Sequence, residues 1–280
     1  MKKIDLHVHT TASDGTCTPE EVVREAARLG LAAIAITDHD TAEGYLRAAA
    51  EGEKCGLEVV PGIEISTKFR AAVHILGYYI DVASPALDEV LEWMHRDREE
   101  RNVKLCAMLR ESGVDIDIER MHARFGEIVG RPHFAEVMIE NGMARDINDA
   151  FERLLNKNKP FFIPRQYLSI ERSIEIIRAS GGVPVLAHPF QYRLDDASLR
   201  ELIEHCMASG LEGLECRYTG YDAAMCAYLE ALAEEYGLVR TGGSDFHGAH
   251  KSDVRLGEGR GELCVPSSFL DGLKARAGKT

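Results

Sequence analysis

Short apolar runs alternate with helical periods through residues 3–80, and that alternation restricts the chain to a few α/β folds. KIDLHVH (3–9) reads as a strand. TCTPEEVVREAARLGL (16–31) reads as a helix, with Thr18 at the N-cap, Pro19 and two acids in the first turn, and Gly30 near the end. AAIAITDHD (32–40) is nearly continuous in apolar residues, as in a parallel strand covered on both faces. A helix is expected from about Thr41 to Lys54, then strands LEVVPGIEIST and AAVHILGYYI. After residue 182 the pattern resumes, with strands at GVPVLAHP, LEGLECR and LVRTGGSDFHG separated by helices, and a last helix near 267–277. The middle differs: 86–113 is one long, heavily charged helical pattern, and 114–160 offers only helix-like pieces. The expected division is a βα domain in two parts, 1–85 and 161–280, split by a helical insertion over 86–160. Repeated βα units with few hairpin signals favour a parallel sheet, either closed as a barrel or open and doubly wound.

Unusual polar residues fall where the strands end. They are His7, His9 and Asp14; Asp38, His39 and Asp40; Glu64; His74; His188; and Asp245 and His247. His7 and His9 sit two apart on a strand, so they share one face. In α/β folds the carboxyl ends of strands carry the active site. Taken singly, each residue has an ordinary explanation: a core histidine at His74, a helix cap at Asp38, a turn residue at His188, an Asx-turn at Asp245. Five or more strand ends would then need unrelated reasons to bury groups that are costly to bury. A shared cation accounts for all of them. Histidine and carboxylate without thiolate suit Zn²⁺, Mn²⁺ or Fe²⁺, and so many ligands suggest two or three ions with Glu64 as a bridge.

Composition removes other classes. The net charge of −13 argues against a long polyanion such as nucleic acid as partner, while a small anion held by cations stays open. No apolar run approaches a membrane span, and the N-terminal lysines are not followed by the apolar stretch of a signal peptide. Seven scattered cysteines without a CxxC read as small core residues in a reducing compartment, with the cytoplasm expected.

DLHVHTTASDGTCTPEE, IAITDHDT, GIEIS, HILGY, LAHP and GGSDFHG, in this order, resemble the PHP (polymerase and histidinol phosphatase) family, which is allied to the amidohydrolases. GRPHFAEVMIENG and AFERLLNKNKPFFIP resemble the inserted segment of its small phosphoesterases. The resemblance implies a distorted (β/α)7 barrel with a trinuclear site. It implies a first metal on His7, His9, Glu64 and Asp245, a second on Glu64, His74 and His188, and a third on Asp14, His39 and His247.

The expected activity is hydrolysis of a small phosphate ester, with metal-bridged hydroxide attacking phosphorus in line. Asp14, Asp38 and His39 are the expected catalytic group, Asp38 by orienting a metal-bound histidine. The proton for the leaving oxygen is assigned to a metal-bound water or to His39. Phosphate also needs fixed donors, for which arginine's planar fork is suited. Arg131 and His133, on a piece of the insertion folding over the mouth, come first, followed by Arg165, Arg193 and Arg217. These favour a sugar or nucleotide bisphosphate, or a cyclic phosphate bearing a second phosphate. Three other readings remain: a 5′–3′ exonuclease trimming oligonucleotides, a hydrolase of C–N bonds, and a metal-binding scaffold without catalysis.

Overall fold

The computed structural model describes residues 2–68, 72–126 and 128–279. Strands β1 (Lys3–Val8), β2 (Ala33–Ile36) and β3 (Glu58–Lys68) pair in parallel, connected by helices α1 (Pro19–Arg28) and α2 (Glu43–Cys55). α1 begins where the sequence places it: Thr18 and Glu21 form a reciprocal capping box.

The sheet is not parallel throughout. β4 (Ala72–Tyr78) runs antiparallel to β3 and again to β5 (Val183–Leu186). Residue 71, the first of the expected strand, lies outside the described residues. Only residues 69–71 separate β3 from β4, and so short a connection permits an antiparallel partner but not a parallel one. β5, β6 (Gly213–Tyr218) and β7 (Val239–Gly243) then resume the parallel order, spaced by α8 (Asp196–Ala208) and α9 (Ala223–Glu235). The reversal has a functional consequence: β4 meets the mouth of the sheet with its amino-terminal end, so His74 arrives there near the start of its strand.

β7 returns to β1 and closes a seven-strand barrel. The Asp245 amide donates to the His7 carbonyl at 2.8 Å, and the His9 amide to the Phe246 carbonyl at 3.0 Å. The approach needs glycine, because a Cβ on Gly243 would collide with the His7 backbone and Cβ. A short β8 (Val265–Pro266), followed by α10 (Ser268–Arg276), pairs antiparallel on the outer edge of β1.

The chain between β4 and β5 is helical. α3 (Pro85–Glu111) is followed by α4 (Ile118–Phe125), α5 (Arg131–Glu140), α6 (Ile147–Ala150) with a π-helical turn over Phe151–Leu155, and α7 (Ile170–Ala179). α7 has no counterpart in the sequence reading, although its IERSIEIIRA run packs Ile170, Ile174 and Ile177 against the barrel core. The first half of α3, through Met94, packs on that same core. From Leu105 onward the chain builds a separate apolar cluster around Leu109, Phe134, Met138 and Phe161.

Candidate metal and phosphate site

All nine side chains expected as ligands reach one end of the barrel. Glu64, 1 % exposed, lies at their centre. Its Oε2 is 3.1 Å from His39 Nδ1, 3.2 Å from His9 Nε2 and 3.3 Å from His7 Nε2. Its Oε1 is 2.8 Å from His74 Nδ1 and 3.0 Å from His188 Nε2. Asp245 Oδ1 is 3.3 Å from His9 Nε2 and 3.6 Å from His7 Nε2. Asp14 Oδ1 is 3.3 Å from His247 Nε2, and the His247 ring stacks on His9 with centroids 4.1 Å apart. Three groups come within metal-binding reach: His7, His9 and Asp245; His9, Asp14, His39 and His247; and His39, Glu64 and His74. His39 therefore belongs to two groups, while the resemblance placed it in one.

The donor set fits divalent cations. The Nε2 of His7, both ring nitrogens of His9 and Nδ1 of His39 are buried without a hydrogen-bond partner among the described residues. Each lies 3.1–3.9 Å from a carboxylate oxygen without making a hydrogen bond to it, and an unpaired buried nitrogen is costly. Burial opposes ionisation of Glu64, but His74, His39 and His7 hold its pKa well below the ordinary carboxylate range. Burial also opposes a charge on His9, which Asp245 and Glu64 outweigh, raising its pKa to about 9. His39 is the contrary case: burial pushes it down to about 3, so it presents a neutral imidazole, as a metal ligand must. Three site residues, Asp40, His188 and Asp245, hold positive φ without being glycine, at 57°, 26° and 56°. Such strain gathers where side-chain placement is functional.

An outer layer fixes these groups. Glu215, fully buried on β6, was not expected. It contacts His7 Nδ1 at 2.9 Å and accepts the His188 amide at 2.6 Å. A carboxylate behind a histidine sets its tautomer and aims its other nitrogen. Glu215→Gln should weaken metal affinity about 10–100-fold. Metal titration of the folded variant checks this, and wild-type affinity would remove the role. Asp38 does not play the part expected of it. Its oxygens accept from the Thr10 amide, the Thr10 hydroxyl and the Ser13 hydroxyl at 2.6–2.8 Å, so it clamps the loop after β1 and touches no imidazole through a hydrogen bond. Tyr218 and Lys251 both donate to Asp245 Oδ2 at 2.6 Å, leaving Oδ1 toward the histidines.

A cavity of about 170 Å³ opens from this cluster. It is bordered by Asp14, His39 and His74 on one side and by Arg98, Arg101, Arg131 and Arg165 on the other. Arg131 and Arg165 were expected there; Arg98 and Arg101, from α3, were not. Arg98 and Arg165 share Asp40 Oδ2, Arg165 at 2.9 Å. Arg101 is 6 % exposed, and its Nε and Nη2 have no partner among the described residues. Burial, together with the neighbouring Arg98 and Arg165, pushes its pKa well below the usual guanidinium range.

The remaining candidates are placed elsewhere. His133 is buried, accepts the Gly130 amide at 3.0 Å and stacks on Phe125, with burial lowering its pKa to about 4; it caps α5 and does not border the cavity. Arg193 is exposed in a left-handed turn and is likewise absent from the cavity wall. Arg217 turns outward, donating to Glu230 Oε1 at 2.8 Å and to the Cys264 carbonyl, over the ring of Phe269. The reason is a bulge: regular alternation would point Arg217 to the same face as inward-facing Glu215, and the register shift between the two residues turns it out.

The profile of the PHP domain matches residues 5–173. The chain is 33% identical over 271 residues to a 3′,5′-nucleoside bisphosphate phosphatase of Chromobacterium violaceum, covering 95% of each chain. It is 35% identical over 247 residues to a 5′–3′ exoribonuclease of Escherichia coli K12, covering 87% of this chain and 84% of that one. A crystal structure from Bifidobacterium adolescentis, described as that of a metal-dependent phosphoesterase, superposes with a TM-score of 0.86 at 29% identity, over 98% of this chain and 96% of the other. Barrel and sequence agree, and the chain belongs to the PHP domain family.

Proposed function

We propose that this protein is a metal-dependent phosphoric ester hydrolase acting on a small metabolite that carries a second phosphate, such as a nucleotide or sugar bisphosphate. The carrying observation is one cavity walled by Asp14, His39 and His74 and by four arginines, of which Arg101 has donors with no partner among the described residues. Carboxylates and imidazoles at one wall suit cations, and a cluster of four guanidinium groups with the single carboxylate of Asp40 bonded to two of them suits a fixed anion. A substrate with two phosphates engages both.

His7, His9, Glu64 and Asp245 would hold one cation, Glu64, His74 and His188 a second, and Asp14, His39 and His247 a third. The thiolate-free donor set suits Mn²⁺, Zn²⁺ or Fe²⁺. Bound there, divalent cations supply an activated water and neutralise charge developing on the phosphoryl oxygens. Glu64 spans the groups and fixes their spacing. Glu215 aims His7, Asp38 holds the loop that carries Asp14, and Asp40 steadies Arg98 and Arg165 while leaving Arg101 to the substrate. The segment 86–160 acts as a lid, contributing Arg98, Arg101 and Arg131 over the mouth. No helix among the described residues is long and apolar enough to cross a membrane. The seven cysteines are free thiols, which supports a reducing, cytoplasmic setting.

Dialysis against a chelator should abolish phosphate release from a nucleoside 3′,5′-bisphosphate, and added Mn²⁺ should restore it. Undiminished turnover by metal-free protein would overturn the reading. Trimming of short oligonucleotides is the second reading, favoured by a cleft of about 660 Å³ lined by Gln191, Tyr218, Thr219 and Lys251, next to Asp245.

A further inference from the structure

Glu64 and His74 project from paired strands, but Asp14 and His247 lie on loops well past the ends of β1 and β7. The two loops are laced together. The Thr16 amide donates to the His247 carbonyl at 3.2 Å, and the Ala249 amide to the Thr16 hydroxyl at 2.7 Å. A Cβ on Gly248 would collide with that hydroxyl, so the approach needs glycine, which also holds φ at 64°. His250 adds a further tie: its Nδ1 donates to the Asp14 carbonyl at 2.6 Å.

The other side of His250 meets the insertion. Its Nε2 pairs with Glu136 Oε1 on α5, and the imidazole is 7 % exposed between its two partners. The turn before α5 closes over the same loop, since a Cβ on Gly130 would lie 3.5 Å from the Asp14 Cβ. α5 buries Phe134, Val137 and Met138 in the apolar cluster separate from the barrel core. Toward the barrel rim it offers Glu136. Arg131, its first residue, borders the arginine cavity.

We propose that Glu136 and His250 are positioning residues that couple a cation on Asp14, His39 and His247 to the docking of α5. They hold two loops so that Asp14 Oδ1 stays 3.3 Å from His247 Nε2, which gathers these ligands before the cation arrives. A cation fixes the same loops in return, and with them His250, the anchor of α5. Such coupling is reciprocal: docking tightens the cation by the factor by which the cation favours docking. The inference rests on the phosphoesterase reading and deepens it, because a filled site brings Arg131 to the second phosphate and metal loading prepares the anion wall.

Hydrogen exchange on the full chain, with and without Mn²⁺, reads the coupling beside a Mn²⁺ titration. In wild type, Mn²⁺ should slow exchange of the α5 amides by a factor of about 5–150. Glu136→Ala and His250→Asn should each remove most of that slowing and leave the protection that Mn²⁺ gives β1 and β3. His250→Asn keeps a donor in the place of Nδ1 and loses the reach to Glu136. Asp14→Asn should lose one cation and the α5 protection together. That same cation should bind more weakly in Glu136→Ala, by the factor lost in exchange. A purely structural pair would speed α5 exchange equally with and without Mn²⁺ and leave cation affinity unchanged; either result overturns the proposal. So does a wild type that binds only two cations at saturation, or an Asp14→Asn protein whose α5 is still protected. If a nucleoside bisphosphate is hydrolysed while α5 ignores Mn²⁺, this inference fails alone. If α5 responds and no phosphate ester is hydrolysed, the phosphoesterase reading fails alone.

Discussion

Glu64→Gln should leave the protein folded, strip most of its bound metal and lower kcat by more than about 10³-fold, because one preorganised electrostatic contact is already worth roughly 10²–10³. The substitution keeps shape and removes charge. Five imidazoles, those of His7, His9, His39, His74 and His188, lie 2.8–3.3 Å from this one carboxylate. An amide presents a donor to part of that ring and cannot bridge two cations. Metal analysis beside steady-state kinetics checks the result; full metal content with normal turnover would remove Glu64 from the centre.

The same substitution has a signature in the metal-free protein. His9 has its pKa raised from 6.5 to about 9 in the fold. A raised pKa contributes stability that is complete below the unfolded value and lost as pH climbs through the folded one. Metal-free wild type should therefore lose stability between about pH 6.5 and 9, and Glu64→Gln should flatten that decline, since Glu64 is one of the two carboxylates that lift His9. Denaturant titrations across that range read the effect.

The gathering of these imidazoles and carboxylates was legible in the sequence because each member is a costly residue at the end of an apolar run, and strand ends share a rim. Strand direction was not legible. Periodicity reports which face is buried and is blind to polarity, so β4 could be placed in the sheet but not reversed. Two residues of the cavity wall lie in α3, where the sequence reading noted only length and charge. Beneath that charge, Leu87, Leu91, Met94, Arg98, Arg101, Leu105 and Leu109 follow one helical stripe, and all are buried. Two arginines on an apolar stripe were the available signal for the arginine-walled cavity. Glu215 offered a weaker one, a lone carboxylate inside LEC. Arg193 and Arg217 show the limit of proximity to a strand end: the residue must also point inward, and a turn or a bulge decides that.

Arg101→Met should move stability and activity in opposite directions. The unliganded pocket holds Arg98, Arg101 and Arg165 within a few side chains of one another, and Asp40 serves Arg98 and Arg165. Arg101 is thus a buried cation whose Nε and Nη2 have no hydrogen-bond partner among the described residues. Replacing a poorly compensated buried charge with an apolar chain of similar length should stabilise the empty protein by about 1–3 kcal/mol. Loss of its charge-assisted hydrogen bonds to a second phosphate should cost kcat/KM for a nucleoside bisphosphate about 10²–10³-fold. A monoester lacking the second phosphate never reaches Arg101, so its turnover should change by less than about threefold. Thermal unfolding without ligand, set beside kinetics on the two substrates, separates the effects. Destabilisation would mean that the guanidinium is a structural group, and equal losses on both substrates would mean that it does not read the second phosphate. The predicted combination is what a site built for its ligand must show, because the strain of holding an unpaired cation is relieved only when the anion arrives.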